Sequence, residues 1–502
     1  MKVLLITGKL AEDRVRAIAG KYGIDVYTFN VNVASFITPG KIIREFKGTR
    51  FIKNYDALIV PGTIGGNLNA VERELEIKAF RGTKDLSLLE FLLKHLESLP
   101  LSSEESADDM LREYIKEAAM EEIKNIEMPE VKERLLKEKG NFLIGTLGTG
   151  KDFPMRVVAE VVDAEKLKRK ELLEKAEYYL KSGADIVDIG IRERNPEAVE
   201  KAVSVLKELD APVSIDTMEA DNIEAAMDAD IDLILSFSRE LIEELQGVKV
   251  ASVILPIVSG KLPESAERRV EFLEQNLGLA RDSGFSRVIA DPVLNHPNFN
   301  LVGALAAYRL FARKNPDEAI LFGAGNVTEL LDADSTGVNA LLASIAGEIG
   351  AELLFTTEAS DKTLGCVREL SLAGKMMFLA RKRKSAPKDI GIDLLVLKEK
   401  RIFREPLDSN VLNAILVEAE KSSSYIEDRK GYFKIFVKDM IYAAHFIGDE
   451  IDIVITGEKA GDISHTICKL GLISEPSHGL YLGRELQKAE FALRYNRSYL
   501  QD

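Results

Sequence analysis

Two cysteines in 502 residues, Cys366 and Cys468, are too few for a disulfide framework or a zinc finger. Tryptophan is absent, and with abundant Glu, Lys and Arg the composition suits a thermophile. No uninterrupted apolar run approaches the ~18 residues a membrane span needs. The first twenty residues, MKVLLITGKLAEDRVRAIAG, lack the apolar core and small-residue cleavage site of a signal peptide. Positive charge is also short: 67 Lys and Arg against 82 Asp and Glu give a net charge of −15, and nucleic-acid binding needs a basic face. The expectation is a cytoplasmic protein with neither a nucleic-acid nor a membrane partner. With 46% hydrophobic and 30% charged residues the chain is globular, and its length predicts two to four domains.

The hydrophobic pattern divides the chain. Residues 1–98 alternate apolar runs (Val3–Ile6, Val26–Phe29, Ala57–Val60) with an amphipathic stretch, Leu10–Lys21, which predicts a small α/β domain. Residues 99–140 are highly charged and predict a helical connector. Within residues 141–387, eight short apolar strands alternate with amphipathic stretches: 157–162, 185–189, 212–215, 232–235, 249–255, 287–290, 319–322 and 352–355. Helices are predicted over Glu165–Lys181, Glu264–Ser283 and Leu301–Lys314 among others. Eight β-α units predict a central (β/α)8 TIM barrel. Residues 388–502 form a C-terminal α/β (α+β) domain, with strands predicted at Asp393–Leu397, Tyr432–Val437 and Ile451–Ile455 and helices at Val411–Lys421 and Gly483–Arg494.

In such a barrel the chemistry lies at the C-terminal ends of the strands. Those positions hold Asp163 with Glu160 inside strand one, then Asp188, Asp216, Ser236 and Asp291. Strand seven runs into Gly325-Asn326-Val327, and strand eight ends Thr356-Thr357-Glu358 with Asp361 and Lys362 beyond. Any one strand-end Asp is explained equally well as a helix cap. Several on one rim suit a ligand with a donor edge, since an ionised carboxylate only accepts hydrogen bonds. They also suit Mg²⁺, which takes one or two carboxylates plus ligand phosphates.

Ala211–Thr217 (APVSIDT) is similar to the third-strand motif of the pterin-binding barrel superfamily. Gly183–Gly190 (GADIVDIG) resembles its second-strand motif and Val288–Pro292 (VIADP) its sixth. That superfamily includes the dihydropteroate synthases and the methyltetrahydrofolate-type corrinoid methyltransferases. The whole arrangement, with an α/β domain in front and a tail ending GRELQKAEFALRY, resembles archaeal dihydropteroate synthase-like proteins of methanogens. The resemblance implies that Asp216 and Asp291 bind the aminopyrimidine edge of a pterin, with Asp188 at the second-strand position. Ser236 stands where both branches carry Asn. Departures are equally specific. The Ser-Arg-Lys after strand seven and the Arg-x-His after strand eight of dihydropteroate synthases are missing, so Arg192, Arg194 and Lys362 are the rim cations left to hold diphosphate. The magnesium-binding Asn of the first strand is here Glu160, which keeps a Mg²⁺ site open. Asn326, extended by Val338-Asn339, resembles the methyltransferase branch, where that Asn lies by the reactive ring edge. The implied activity is a transferase joining a dihydropterin-methyl diphosphate to an arylamine in tetrahydromethanopterin or folate-like biosynthesis. The alternatives are methyl transfer with a corrinoid partner or pterin binding without catalysis, and a homodimer is the family-level expectation.

Four further signals are weaker. Gly145–Lys151 satisfies most of a phosphate-loop pattern, but Asp152 replaces the Mg²⁺-binding hydroxyl and Pro154 opposes a following helix; a loop near the barrel entrance stays open as a reading. Pro61–Gly66 is read as a tight strand exit. Asp462-Ile-Ser-His465 lacks corrinoid spacing, and His296, four residues past Pro292, is read as solvated or capping.

Overall fold

The computed structural model describes residues 2–399 apart from 85 and 87, then 414–420 and 426–502. The chain forms two compact units, Met1–Leu397 and Lys398–Asp502.

The first unit begins with a parallel sheet of β1 (Val3–Gly8), β2 (Asp25–Phe29), β3 (Ala57–Val60) and β4 (Lys78–Arg81), in the order β2-β1-β3-β4. Alternation splits each strand's side chains between two layers: Val3 and Leu5 pack with Val15 and Ala19 of helix Glu12–Gly20, while Leu4 and Ile6 pack with Ile42 and Phe46 of helix Pro39–Phe46. β4 was not anticipated from the sequence. The charged stretch that follows is helical over Ala107–Ile126 and Pro129–Leu135. Its Ala119, Ile123 and Ile126 join Met376 and Leu379 of helix Cys366–Lys382 and Ile390 and Ile392 beyond it in one cluster.

The eight expected strands form one parallel sheet: β7 (Arg156–Val161), β8 (Ile186–Gly190), β9 (Val213–Asp216), β10 (Leu233–Phe237), β11 (Ala251–Ile254), β12 (Arg287–Ala290), β13 (Leu321–Gly323) and β14 (Leu353–Thr357). The preceding hairpin is β5 (Asn141–Ile144) with β6 (Leu147–Gly150). β14 pairs with both β13 and β7, and the sheet closes between β12 and β13, where Ala290 bridges Ile320 and its amide donates to Ala319 at 2.8 Å. This is the expected TIM barrel. Val157, Ala159 and Val161 face the helices. Val158, Ile186, Leu233 and Val253 fill the lumen, joined by Phe142 and Ile144 of the hairpin. Residues 145–151 therefore belong to a plug at the end where the strands begin, opposite the barrel entrance. No helix follows them, so the phosphate-loop reading and its barrel-entrance variant both fall.

The second unit is an antiparallel sheet, β15 (Tyr432–Val437), β16 (Ile441–Ile447) and β17 (Glu450–Gly457), covered by helices Ala460–Lys469 and Pro476–Tyr495. Two expectations need correction. Residues 393–397 form no strand, and Val396 and Leu397 are exposed. Residues 414–420 are irregular rather than helical, and the rest of the helix expected at 411–421 lies outside the described residues. No helix among the described residues is long and apolar enough to cross a membrane.

Candidate active site at the barrel mouth

Parallel register carries the side chains of neighbouring strands to one height. Glu160 of β7 pairs with Asp188 of β8, Asp188 with Ser214 of β9, and Gly190 with Asp216. Glu160, Asp188, Asp216 and Asp291, the last immediately beyond β12, therefore collect above the apolar lumen. Three of the four carboxyls take a short hydrogen bond from a hydroxyl. Ser214 Oγ donates to Asp188 Oδ1, Ser236 Oγ to Asp216 Oδ1 and Tyr308 Oη to Asp291 Oδ1, each at 2.5 Å. In each pair one carboxylate oxygen is held and Oδ2 takes no hydrogen bond among the described residues. Asp188 Oδ2 is buried and unpartnered, which is costly unless a ligand, water or proton satisfies it.

Burial shifts the protonation of all four groups. Burial, reinforced by the charge of Asp216, pushes Glu160 up to about 7. Burial pushes Asp291 up to about 6, against hydrogen bonds from Tyr308 and the Val293 amide. Asp188 is raised well above the usual carboxylate range by burial and then by Asp216 and Glu160. Asp216 is raised by burial too, opposed by the Ser236 hydroxyl and the Arg192 charge. Such a floor holds mobile protons near neutrality and favours a ligand that donates hydrogen bonds or carries positive charge.

The backbone is bent to build this arrangement. Ser236 has φ +68°, at an irregularity in the β10–β11 pairing, and this turns its hydroxyl to Asp216. Left-handed φ is tolerated better by Asn than by Ser. Val293, a β-branched residue, sits at φ +65° while its amide donates to Asp291 at 2.7 Å. Fully buried Arg269 clamps this turn, donating to Val293 O and Asn295 Oδ1 at 2.8 Å and to Pro263 O at 3.0 Å. At Gly190 a Cβ would lie 2.3 Å from Glu160 Oε1. Only glycine lets the Glu160 carboxyl lie across β8 beside Asp216.

Of the rim cations, Arg192 is electrostatically coupled to Glu160 and Asp216 and forms no ion pair among the described residues. Arg194 is paired with Asp221, and Lys362 holds Asp332 at 2.8 Å. Asn326, at the end of β13, donates Nδ2 to Leu294 O at 2.8 Å across to the Asp291 loop, leaving Oδ1 without a hydrogen bond among the described residues. Asp163 is half-buried and paired with Lys166 at 2.8 Å, and its charge adds to the rise of Glu160. Glu358 accepts from Tyr178 Oη and the Val367 amide at 3.0 Å, and Asn339 donates to Glu369 at 2.9 Å. His296 packs against Phe299 with the rings tilted by 38°, and Asp462 and His465 lie on one helix. In the head, Arg81 ties the Pro61–Gly66 turn by donating to the carbonyls of Ile64 and Gly66.

Sequence reading missed Ser214, Tyr308 and Arg269. Ser214 had a signal: in Val-Ser-Ile-Asp it shares a face with Asp216. Tyr308 and Arg269 come from outer helices, Leu301–Lys314 and Ala266–Asp282, where one reads as core and the other as surface charge.

Family models match at two places: "Pterin binding enzyme" over residues 161–296 and PterinBD-DUF4346 over residues 427–502. The Methanocaldococcus jannaschii protein MJ0107, itself uncharacterized, is 41% identical over all of this chain and 98% of its own length. The ycf91 protein of Pyropia yezoensis is 29% identical over 22% of this chain and 97% of its own length. Among solved structures, Yersinia pestis dihydropteroate synthase with a pterine–sulfa conjugate matches with 18% identity and a TM-score of 0.38, covering 48% of this chain and 99% of that one. The Thermus thermophilus dihydropteroate synthase in complex with 4-aminobenzoate matches with 19% identity and a TM-score of 0.38, over 47% of this chain and 98% of that one. By its full-length relative the chain belongs to the family that includes MJ0107, and its barrel matches the pterin-binding enzyme model.

Proposed function

We propose that the barrel mouth binds a reduced pterin and that the protein is a transferase acting at the pterin's 6-methylene, joining it to an arylamine as diphosphate leaves. The observation that carries the reading is the set of three hydroxyl-held carboxyls, each with its second oxygen free of hydrogen bonds among the described residues. Asp216 and Asp291 accept from the ring N–H and the amino group, and Ser236 fixes the angle of Asp216. The acidic floor stabilises positive charge developing on the methylene carbon as the leaving group departs. With no metal on it, Glu160, pushed up to about 7, is matched to accept the proton that the amine nucleophile loses. Arg192 is the rim cation free to meet the diphosphate.

No cluster of three or more metal-ligating side chains occurs among the described residues, so Mg²⁺ would be held by Glu160 together with ligand phosphate oxygens. When bound, that ion would neutralise charge on the diphosphate. A second reading, methyl transfer from a methyl-tetrahydropterin to a corrinoid partner, is favoured by the unused Oδ1 of Asn326. The test is calorimetry with 6-hydroxymethylpterin, followed by assays of diphosphate release from the pterin diphosphate with 4-aminobenzoate and of methyl transfer to cob(I)alamin. Asp216→Ala is expected to weaken pterin binding at least 100-fold, and unchanged affinity would remove the assignment. Methyl transfer without diphosphate release would select the second reading. Pterin binding with neither activity would leave a binding protein.

A further inference from the structure

The head carries a second site, independent of the barrel. In the order β2-β1-β3-β4 the chain winds from β1 outward to β2 and then crosses to β3 and β4 on the other side. The winding reverses between β1 and β3. In open parallel α/β sheets, ligands bind outside the carboxyl ends of the strands at this reversal. A cavity of about 400 Å³ opens there, bounded by the ends of β1 and β3, the segment after β4 and the loop after β2. That volume lies in the range of small-molecule pockets and is far more than a bare inorganic anion fills.

The walls are of two kinds. Leu10 and Val33, 79% and 41% exposed, give an accessible apolar face, while the buried strand ends at Leu5, Ile6, Ile59 and Val60 close the floor. Thr7, Asn32, Thr63 and Thr83 add hydroxyl and amide groups. Arg14 and Lys84 supply the charge. Both are exposed, neither side chain forms an ion pair among the described residues, and no carboxylate lines the cavity among those residues, the Asp108 carboxylate being spent on the Lys84 amide at 2.6 Å. The walls are also fixed in place: a Cβ on Gly62 would lie 2.5 Å from Gly82 O, and one on Gly8 would meet Ala34 N at 3.0 Å. The strand exits thus approach as closely as only glycine allows, and the pocket is formed before a ligand arrives.

We infer that this crevice binds a phosphomonoester carrying a flat ring, of the nucleoside monophosphate class: the ring lies on the apolar face, hydroxyls meet the sugar and Arg14 and Lys84 hold the phosphate. The test is calorimetry on the full chain with AMP and GMP, and with adenosine, inorganic phosphate and 4-aminobenzoate as divided probes. One of the two nucleotides is expected to bind, with adenosine and phosphate each at least 10-fold weaker. The double reversal R14E/K84E should reduce that affinity at least 10-fold at unchanged melting temperature, and R14A or K84A alone about 3-fold. Asp216→Ala should leave it unchanged, which separates this site from the barrel. The inference is overturned if neither nucleotide binds at millimolar concentration, if the reversals leave affinity intact, if Asp216→Ala abolishes binding, or if 4-aminobenzoate binds as tightly as the nucleotide.

Discussion

The two ends of the barrel are built from the same eight strands and treat buried charge in opposite ways. Where the strands begin, Arg156 is 4% exposed and every direction of its guanidinium is used: Nε donates to Gly148 O at 2.8 Å, Nη2 reaches Glu127 at 2.7 Å and Nη1 reaches Asp185 at 3.4 Å. Glu352 at the same end accepts from the Ile320 amide at 2.8 Å. Where the strands end, four carboxyls share little more than Arg192, Asp188 Oδ2 has no partner, and Ser236 and Val293 sit at positive φ. The first end pairs its buried cation within the protein and closes on a plug, and its one raised carboxyl, Glu352, pushed up to about 7 by burial, is held by the Ile320 amide. The second keeps unmet hydrogen-bonding capacity and strain, which a ligand can discharge.

The largest expected effect falls at the closed end. Arg156→Ala should cost about 3 kcal/mol, because it leaves Gly148 O, Asp185 and Glu127 without their cation in a packed site. Urea unfolding followed by circular dichroism checks this. A cost below about 1 kcal/mol would mean that the plug, rather than the charge network, holds this end. Removing a carboxyl at the open end should do the reverse.

Glu160 supplies that next effect. Its folded value near 7 exceeds the ordinary 4.5, so the folded state keeps a proton that the unfolded chain gives up. Below about pH 4.5 both states are protonated and ionisation costs nothing. Stability then falls as pH rises through the window from 4.5 to 7, and above 7 the full cost of about 3 kcal/mol is present. Asp291 adds a smaller fall of the same sign, between 3.8 and about 6. Glu160→Gln is therefore expected to be more stable than the parent at pH 8 by about 2–3 kcal/mol and equal to it at pH 4. Ligand-free unfolding at the two pH values reads the difference directly. Equal stability at pH 8 would show that the mouth relieves its own crowding.

The same contrast sets what was legible in the sequence. Buried parallel strands are continuous apolar runs, so all eight barrel strands fall within two residues of expectation, and the Asp that closes a strand is visible because it breaks such a run. β4 escaped because Lys78 and Arg81 bracket only Ala79 and Phe80. β16, Ile441–Ile447, escaped because Ala443, Ala444 and His445 dilute its alternation, although all three are buried. Residues 393–397 looked like a strand on composition alone and have no sheet partner among the described residues. At the site, the acceptors were readable and their donors were not. A hydroxyl such as that of Tyr308 becomes a site group only when its helix is laid against β12, and sequence separation hides that. Cations were the least readable. An arginine or lysine in a loop takes whichever acid the fold brings near, and Asp221 and Asp332 lie 27 and 30 residues from Arg194 and Lys362.

That last point gives the smallest expected effect, and it separates the rim from the floor. The Arg194–Asp221 and Lys362–Asp332 pairs are solvent-exposed, so Arg194→Ala and Lys362→Ala should each change stability by no more than about 0.5 kcal/mol. Arg192 acts on Glu160 and Asp216, and on Asp163 at the rim, and forms no ion pair among the described residues. Its loss removes a charge that holds both carboxyls down, so Arg192→Ala should raise both apparent pKa values and move the stability loss described above to higher pH. In the proposed reaction it should also weaken a pterin diphosphate more than the corresponding pterin alcohol. Comparing the three alanine variants with both ligands gives the discriminating measurement. If Arg194→Ala or Lys362→Ala lowers diphosphate affinity as much as Arg192→Ala does, the ion pairs open when the ligand binds, and the rim belongs with the unsatisfied floor rather than with the settled surface.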